Sequence, residues 1–136
     1  MRKKIVFTNG CFDILHLGHI NYLSEAADLG DILIVAVNSD RSVKALKGEA
    51  RPINNQDARA KLLASLFFID AIIIFDEDTP EDLIKALNPD VLVKGGDYKI
   101  AEIAGSDFVL KNGGEVKIIP ITEGYSTTGI LESHKK

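Results

Sequence analysis

The sequence predicts an α/β fold: a doubly wound parallel sheet of about five strands inside a single three-layer domain. Three observations predict it. Short runs rich in Val and Ile recur along the chain and are nearly continuous in hydrophobicity, the pattern of strands buried on both faces of a parallel sheet. Segments with helical spacing, each with start and stop residues, alternate with those runs. The connections between them are short, which implies right-handed crossovers.

The elements follow in order. Lys4 to Thr8 is the first strand. A helix from about Leu17 to Leu29 carries Ile20, Leu23, Ala26 and Ala27 and stops at Gly30, expected as a left-handed cap. Ile32 to Val37 is the second strand, followed by a short helix capped by Asp40 and closed at Gly48. Asn54 or Asn55 caps a third helix with Ala58, Leu62, Leu63 and Leu66 on one stripe. Ala71 to Phe75 is the third strand. Thr79-Pro80-Glu81-Asp82 then combines an N-cap, a proline in the first helical position and an acid three residues after the cap. Asn88-Pro89 stops that helix, Val91 to Lys94 is the fourth strand, and Asn112-Gly113-Gly114 ends the next helix. Val116 to Ile119 is the fifth strand, and Ser126 is positioned to cap a last helix.

The chain of 136 residues is long enough to bury a core without a disulfide or structural metal. Its single Cys, Cys11, has no internal disulfide partner and is expected to be reduced. The basic start is followed by an apolar run too short for a secretory core, and no run reaches the length of a membrane span. These features lead to the expectation of one cytoplasmic domain over residues 1–136 with no membrane partner. The 16 basic and 20 acidic residues argue against sequence-independent nucleic-acid binding but leave room for a local anion site.

Ligands of such sheets bind outside the carboxyl ends of the strands, and the motifs fall there. The first strand runs into Thr8-Asn9-Gly10-Cys11-Phe12-Asp13-Ile14-Leu15-His16-Leu17-Gly18-His19. His16 and His19, three apart at a helix start, share a face with the free amides and the positive dipole end, an array suited to a polyphosphate. Gly18 between them removes a side chain that would block a ligand. A histidine pair alone also fits ordinary helix residues or a metal site, but zinc would need further ligands, and the remaining candidates are Cys11 and His134. Gly95 and Gly96 after the fourth strand fit either a tight turn or a base or ribose lying against bare backbone. Ser126-Thr127-Thr128 offers hydroxyls and unpaired amides for a cap or for phosphate oxygens. Cys11 reads as a small buried residue rather than a nucleophile, and Asp76, Glu77 and Asp78 as a helix-start cluster rather than a metal site. Lys44, Lys47, Arg51, Arg59 and Lys94 lie at or soon after strand ends, so the net charge of −4 looks like the average of an acidic shell and one cationic cleft.

GCFDILHLGH resembles the signature of the cytidylyltransferase-like nucleotidyltransferases, whose fold is a Rossmann-like α/β domain. Further ordered segments extend the resemblance from about Lys4 to Leu131: AVNSD with LKGEARPIN, DEDTPEDLI, LVKGGDY with EIAG, NGGEV and EGYSTTGI. Within the family the chain is most similar to the adenylyltransferases of ADP-heptose synthesis, often found as the C-terminal half of a kinase–adenylyltransferase. Here the stand-alone form is expected.

The resemblance implies the following roles. His16 and His19 bind the nucleotide phosphates and stabilise charge as pyrophosphate leaves, with Lys47 as a mobile lysine reaching the triphosphate. Asn9, Gly10, Cys11, Phe12, Gly18, Arg59, Gly95, Gly96 and Asp97 belong to nucleotide binding, as do Gly124, Tyr125, Ser126, Thr127 and Thr128. Asp13 shapes the loop. Lys44 and Arg51 are the expected contacts to the substrate phosphate. The implied reaction transfers AMP from ATP to D-glycero-β-D-manno-heptose 1-phosphate, with Mg²⁺ as cofactor and a homodimer as the assembly. Ile121 stands where the cytidylyltransferases carry Arg, and Gly96 replaces the first Asp of their Gly-Asp-Asp-Trp segment; both favour adenine over cytosine. A glycerol-3-phosphate cytidylyltransferase-like enzyme and a non-catalytic adenine-nucleotide-binding module are the alternatives.

Overall fold

The computed structural model describes residues 2–121. Its sheet contains β1 (Ile5–Gly10), β2 (Ile32–Asn38), β3 (Ala71–Phe75), β4 (Val91–Gly95) and β5 (Glu115–Ile119). All four pairings are parallel, in the order β3-β2-β1-β4-β5. The helices are α1 (Leu17–Ala27), α2 (Asp40–Lys47), α3 (Gln56–Ala64), α4 (Glu81–Leu87) and α5 (Ser106–Lys111), with a short 3-10 turn at Ile100–Glu102. The doubly wound parallel sheet expected from the buried Val and Ile runs is therefore present. No described helix is long and apolar enough to cross a membrane.

Alternation along each strand divides the core between the two faces of the sheet. Val6, Leu33, Val35, Val37, Val91 and Val93 pack with Leu23 of α1 and Leu63 of α3. Phe7, Ile34, Ala36, Leu92 and Val116 pack with Ile84 of α4 and Val109 of α5. The first two crossovers thus cover one face and the next two the other. Winding reverses between β1 and β4, which opens a crevice at their carboxyl ends. Thr8 ties that crevice together: its buried hydroxyl lies 2.6 Å from the Tyr22 hydroxyl and donates to the Val93 carbonyl at 2.8 Å.

The amino ends of β1 and β2, opposite to that crevice, are sealed by acids. Asp31 accepts from Lys4 N, Asp90 from Ile5 N and Asp70 from Leu33 N, at 2.7, 2.8 and 2.8 Å. These bonds satisfy amides that begin strands. The bond from Ile5, more than the neighbouring Arg2, holds the Asp90 carboxyl below the usual carboxylate range.

Several local expectations need correction. Gly30 is not in a left-handed conformation; a Cβ there would lie 2.7 Å from Val6 Cγ2 and 2.8 Å from the Lys4 carbonyl, so the glycine permits close approach. Ser39, not Asp40, caps α2 by accepting from Ser42 N, and Asn55 caps α3. The cap position of α4 is Pro80 rather than Thr79. The inward residues of α3 are Arg59 and Leu63, whereas Leu62 is exposed. A buried arginine on that face shifts the apolar stripe by one residue. Asn88 does end α4, in the left-handed conformation. The helix expected to be capped by Ser126 lies outside the described residues.

Candidate active site

A cavity of about 640 Å³ opens at the carboxyl ends of the strands, where the winding reverses. Asn9, Gly10, Cys11 and Phe12 line it from the β1 exit. The loop folds back on itself. Phe12 has a φ of 48° and is buried, its ring edge-on to His19 and stacked parallel to Tyr22 at a centroid distance of 6.4 Å. A Cβ on Gly10 would meet the Phe12 ring at 3.0 Å, so that glycine lets the aromatic ring turn under the strand end.

Asp13 does shape the loop. Its buried carboxylate accepts from Arg51 Nε at 2.6 Å, Ile53 N at 2.8 Å and Asn54 N at 3.0 Å. Arg51 is thereby anchored at the cavity wall, whereas Lys44 is exposed on α2 and outside the lining. Leu46 and Lys47, at the end of α2, both reach the cavity.

His16 is the N-cap residue of α1 and His19 its third residue. Their rings stack with centroids 3.7 Å apart, and the backbone N–H of His16 donates to His19 Nδ1 at 3.3 Å. That bond places the proton of a neutral His19 on Nε2, leaving it a donor at the cavity. Burial lowers the His16 pKa; burial and then the neighbouring His16 lower that of His19 to about 4. The pair therefore offers hydrogen-bond donors rather than two positive charges. Gly18 is outside the lining: a Cβ there would lie 3.0 Å from the His16 ring and from Ile121, so the glycine accommodates the imidazole.

Arg59 also differs from the expected role. Its side chain is completely buried and outside the cavity lining. It donates to the carbonyls of Cys11 at 2.8 Å, Asn38 at 2.6 Å and Asn54 at 2.9 Å, and pairs with Asp40 at 2.9 Å. It therefore fastens the exits of β1 and β2 together from behind rather than facing a phosphate. Lys47, Arg59, Lys94 and Arg51 all surround Cys11 electrostatically, yet burial prevails and raises its thiol pKa. Cys11 is thus a protonated wall residue, in keeping with the non-nucleophilic reading.

Gly95 lines the cavity; Gly96 and Asp97 do not. Gly124, Tyr125, Ser126, Thr127 and Thr128 lie outside the described residues. The lining also contains Lys94, which the sequence placed in the cationic cleft without a specific role, and Tyr98, Tyr22, Asn38, Asp78 and Glu102, which the sequence did not assign to the site. Asn38 and Lys94 were discernible as strand-exit residues. The others depend on packing that brings distant segments together.

Among the described residues no group of three or more His, Cys, Asp or Glu is arranged to hold a metal ion. Asp13 is committed to Arg51 and two backbone amides. These residues do not fit a dedicated Mg²⁺ site, and no step is assigned to one.

The model of the cytidylyltransferase-like family matches residues 7–133. The chain is 60% identical over 134 residues to the bifunctional protein HldE of Campylobacter concisus, covering 98% of this chain and 28% of that protein. It is 62% identical over 130 residues to HldE of Nitratiruptor sp., covering 96% and 27%. The chain thus spans less than a third of the length of these relatives. A lipopolysaccharide core biosynthesis protein from Thermoplasma volcanium superposes with a TM-score of 0.73 at 35% identity, covering 92% of this chain and all of that one. The pantoate-β-alanine ligase of Francisella tularensis, at 15% identity and a TM-score of 0.61, covers 98% of this chain and 69% of its own and shares the fold. With a parallel sheet, a histidine pair at its switch point and a family match over nearly its whole length, the chain belongs to the cytidylyltransferase-like family.

Proposed function

We propose that the chain transfers AMP from ATP to D-glycero-β-D-manno-heptose 1-phosphate, releasing pyrophosphate and forming ADP-heptose. The observation that carries this reading is the stacked His16–His19 pair at the start of α1, sharing one cavity with Lys47 and Arg51. The sugar is supported by the motif resemblance to adenylyltransferases of ADP-heptose synthesis and by likeness to a lipopolysaccharide core biosynthesis protein.

The attacking oxygen belongs to a phosphate already anionic at neutral pH, so no general base is required. It forms a bond to the α-phosphorus as the bond to the bridging oxygen breaks, and pyrophosphate leaves with that electron pair. The loop amides and the N-terminus of α1 bind phosphate oxygens. His19 donates from Nε2, and Lys47 supplies positive charge to the departing group. Arg51, steadied by Asp13, contacts the phosphate of the sugar. Mg²⁺ belongs to this reading only as a companion of ATP: it would be held mainly by the nucleotide and would neutralise part of the phosphate charge, with none of the described residues assigned to it. A cytoplasmic homodimer belongs to the same reading, and light scattering of the purified chain tests the dimer.

Pyrophosphate release is measured with ATP or CTP, each with heptose 1-phosphate or glycerol 3-phosphate. Release is expected with ATP and heptose 1-phosphate. Release confined to CTP and glycerol 3-phosphate overturns the assignment in favour of a cytidylyltransferase. ATP binding without release from any pair overturns it in favour of a binding module.

A further inference from the structure

Lys94 enters the cavity from the flank of β1 opposite to Lys47. Val93 pairs with Thr8, so Lys94 leaves β4 beside Asn9, whereas Lys47 comes from the helix that follows β2. Both lysines act electrostatically on Cys11, and Lys47 acts on Lys94. The two ammonium groups therefore straddle the mouth of β1. Among the described residues neither lysine has an ion-pair partner, while Arg51 is paired with Asp13 and Arg59 with Asp40. Burial, reinforced by Lys47, lowers the Lys94 pKa, so an arriving anion relieves an unfavourable charge.

The position of this ammonium is built by its own segment. Lys94 Nζ lies 5.1 Å from the centroid of the Tyr98 ring, a contact that holds a cation without neutralising it. Gly96 has a φ of +120°, and a Cβ there would lie 3.1 Å from the same ring. A Cβ on Gly95 would lie 3.0 Å from Ile121 and 3.2 Å from Tyr22. One glycine thus lets the β4 exit press against its neighbours, and the next lets the chain bring Tyr98 back beside Lys94. A solvated surface lysine has no need of such a bracket.

We propose that Lys94 is a further catalytic residue, contacting the non-bridging α-phosphoryl oxygens of the nucleotide, and that Tyr98 is the positioning residue that holds it there. This rests on the nucleotidyl-transfer reading. Gly95, which lines the cavity next to Lys94, marks the proposed nucleoside side, and the phosphoryl group nearest a nucleoside is the α group. During in-line displacement the two non-bridging α oxygens stay equatorial between the entering and leaving oxygens. A cation on them complements Lys47, which serves the departing pyrophosphate.

The test uses the full chain with Lys94→Met, Lys94→Arg, Tyr98→Leu and Tyr98→Phe. Pyrophosphate release is measured with ATP and with each diastereomer of its α-thio analogue, together with ATP binding by calorimetry and thermal melting. Lys94→Met is expected to remain folded and to lose about 100-fold in kcat, with about fivefold weaker ATP binding. Its preference between the two diastereomers falls towards unity, because sulfur no longer meets the ammonium in one of them. Lys94→Arg restores part of the rate, and Tyr98→Phe retains most of what Tyr98→Leu loses. Turnover of Lys94→Met within about threefold of wild type overturns the proposal. So does a slow variant with unchanged diastereomer preference, since its effect is then indirect. No release from the wild-type chain would instead defeat the transfer reading; in that case, unchanged ATP affinity in Lys94→Met defeats the phosphate contact as well.

Discussion

His16 and His19 stack with ring centroids 3.7 Å apart, and the His16 backbone N–H fixes His19 through Nδ1. Protonating both rings would bring two positive charges face to face in a partly buried site. His19 is accordingly held down to about 4, by burial first and by His16 second. In the free chain, NMR titration should find the His19 midpoint near 4, and ATP should move it upward because phosphate favours the imidazolium. The sign for stability follows from proton uptake: between about 4 and about 6.5 the unfolded chain binds the His19 proton and the folded chain does not. The contribution is therefore present above that window and is lost as pH falls through it. Wild type should lose more melting temperature across the window than His19→Gln. A His19 midpoint near its ordinary value without ATP would refute this account.

Arg59→Met removes the donors to three backbone carbonyls, two of them at the exits of β1 and β2. A loss of about 3–5 kcal/mol is expected from stranding buried acceptors and breaking the pair with Asp40. Urea unfolding should show this as a lower midpoint with an unchanged slope. Arg59→Lys keeps the charge but cannot reproduce the guanidinium fork, in which Nε holds the Asn54 carbonyl, Nη1 the Cys11 and Asn38 carbonyls and Nη2 the Asp40 carboxylate, so it should recover only part of the stability. A melting curve for Arg59→Met that matches wild type would show that the bonds are dispensable.

The strands and some of the helix ends were legible in the sequence because their signals are local, although the caps of α2 and α4 fell one residue away from where they were expected. Buried Val and Ile runs mark β2 and β4, and Asn55, Asn88 and Gly113 act where they stand. The loop and histidine pair were legible because the β1 exit carries them within one short segment. Arg59 was misread because nothing local announces carbonyl acceptors 48 and 21 residues away. Gly30 was misread for a related reason: the conformational signal and the close-packing signal of glycine look alike until Val6 is in place.

Gly30→Ala separates those two meanings. A left-handed glycine would be strained by a Cβ through its backbone; this one instead drives the Cβ into Val6 and the Lys4 carbonyl. Because one of those atoms is backbone, relief requires the turn to shift, at about 1–3 kcal/mol. The turn lies at the amino end of the sheet, away from the cavity, so the loss should appear in thermal or urea unfolding and leave the KM for ATP within about twofold. A changed KM would show that the turn and the cavity are coupled.

Lys44 and Lys47 make a sharper comparison, because their spacing in α2 places them on neighbouring positions of the helix surface. The cavity nevertheless takes only the helix end. Leu46 and Lys47 line it, while Lys44 lies nearly a turn earlier, exposed, with its carbonyl accepting the Gly48 N–H that closes the helix. Lys47→Ala should therefore lower kcat by about 100-fold through loss of charge stabilisation, with little change in melting. Lys44→Ala should leave turnover and the KM for the sugar phosphate within about twofold, because an exposed lysine without a site contact contributes little. Steady-state pyrophosphate release for the two variants decides between a helix face and a helix end. Equal losses would mean that α2 turns to bring Lys44 into the cavity when substrate binds, restoring the phosphate role expected from the family resemblance.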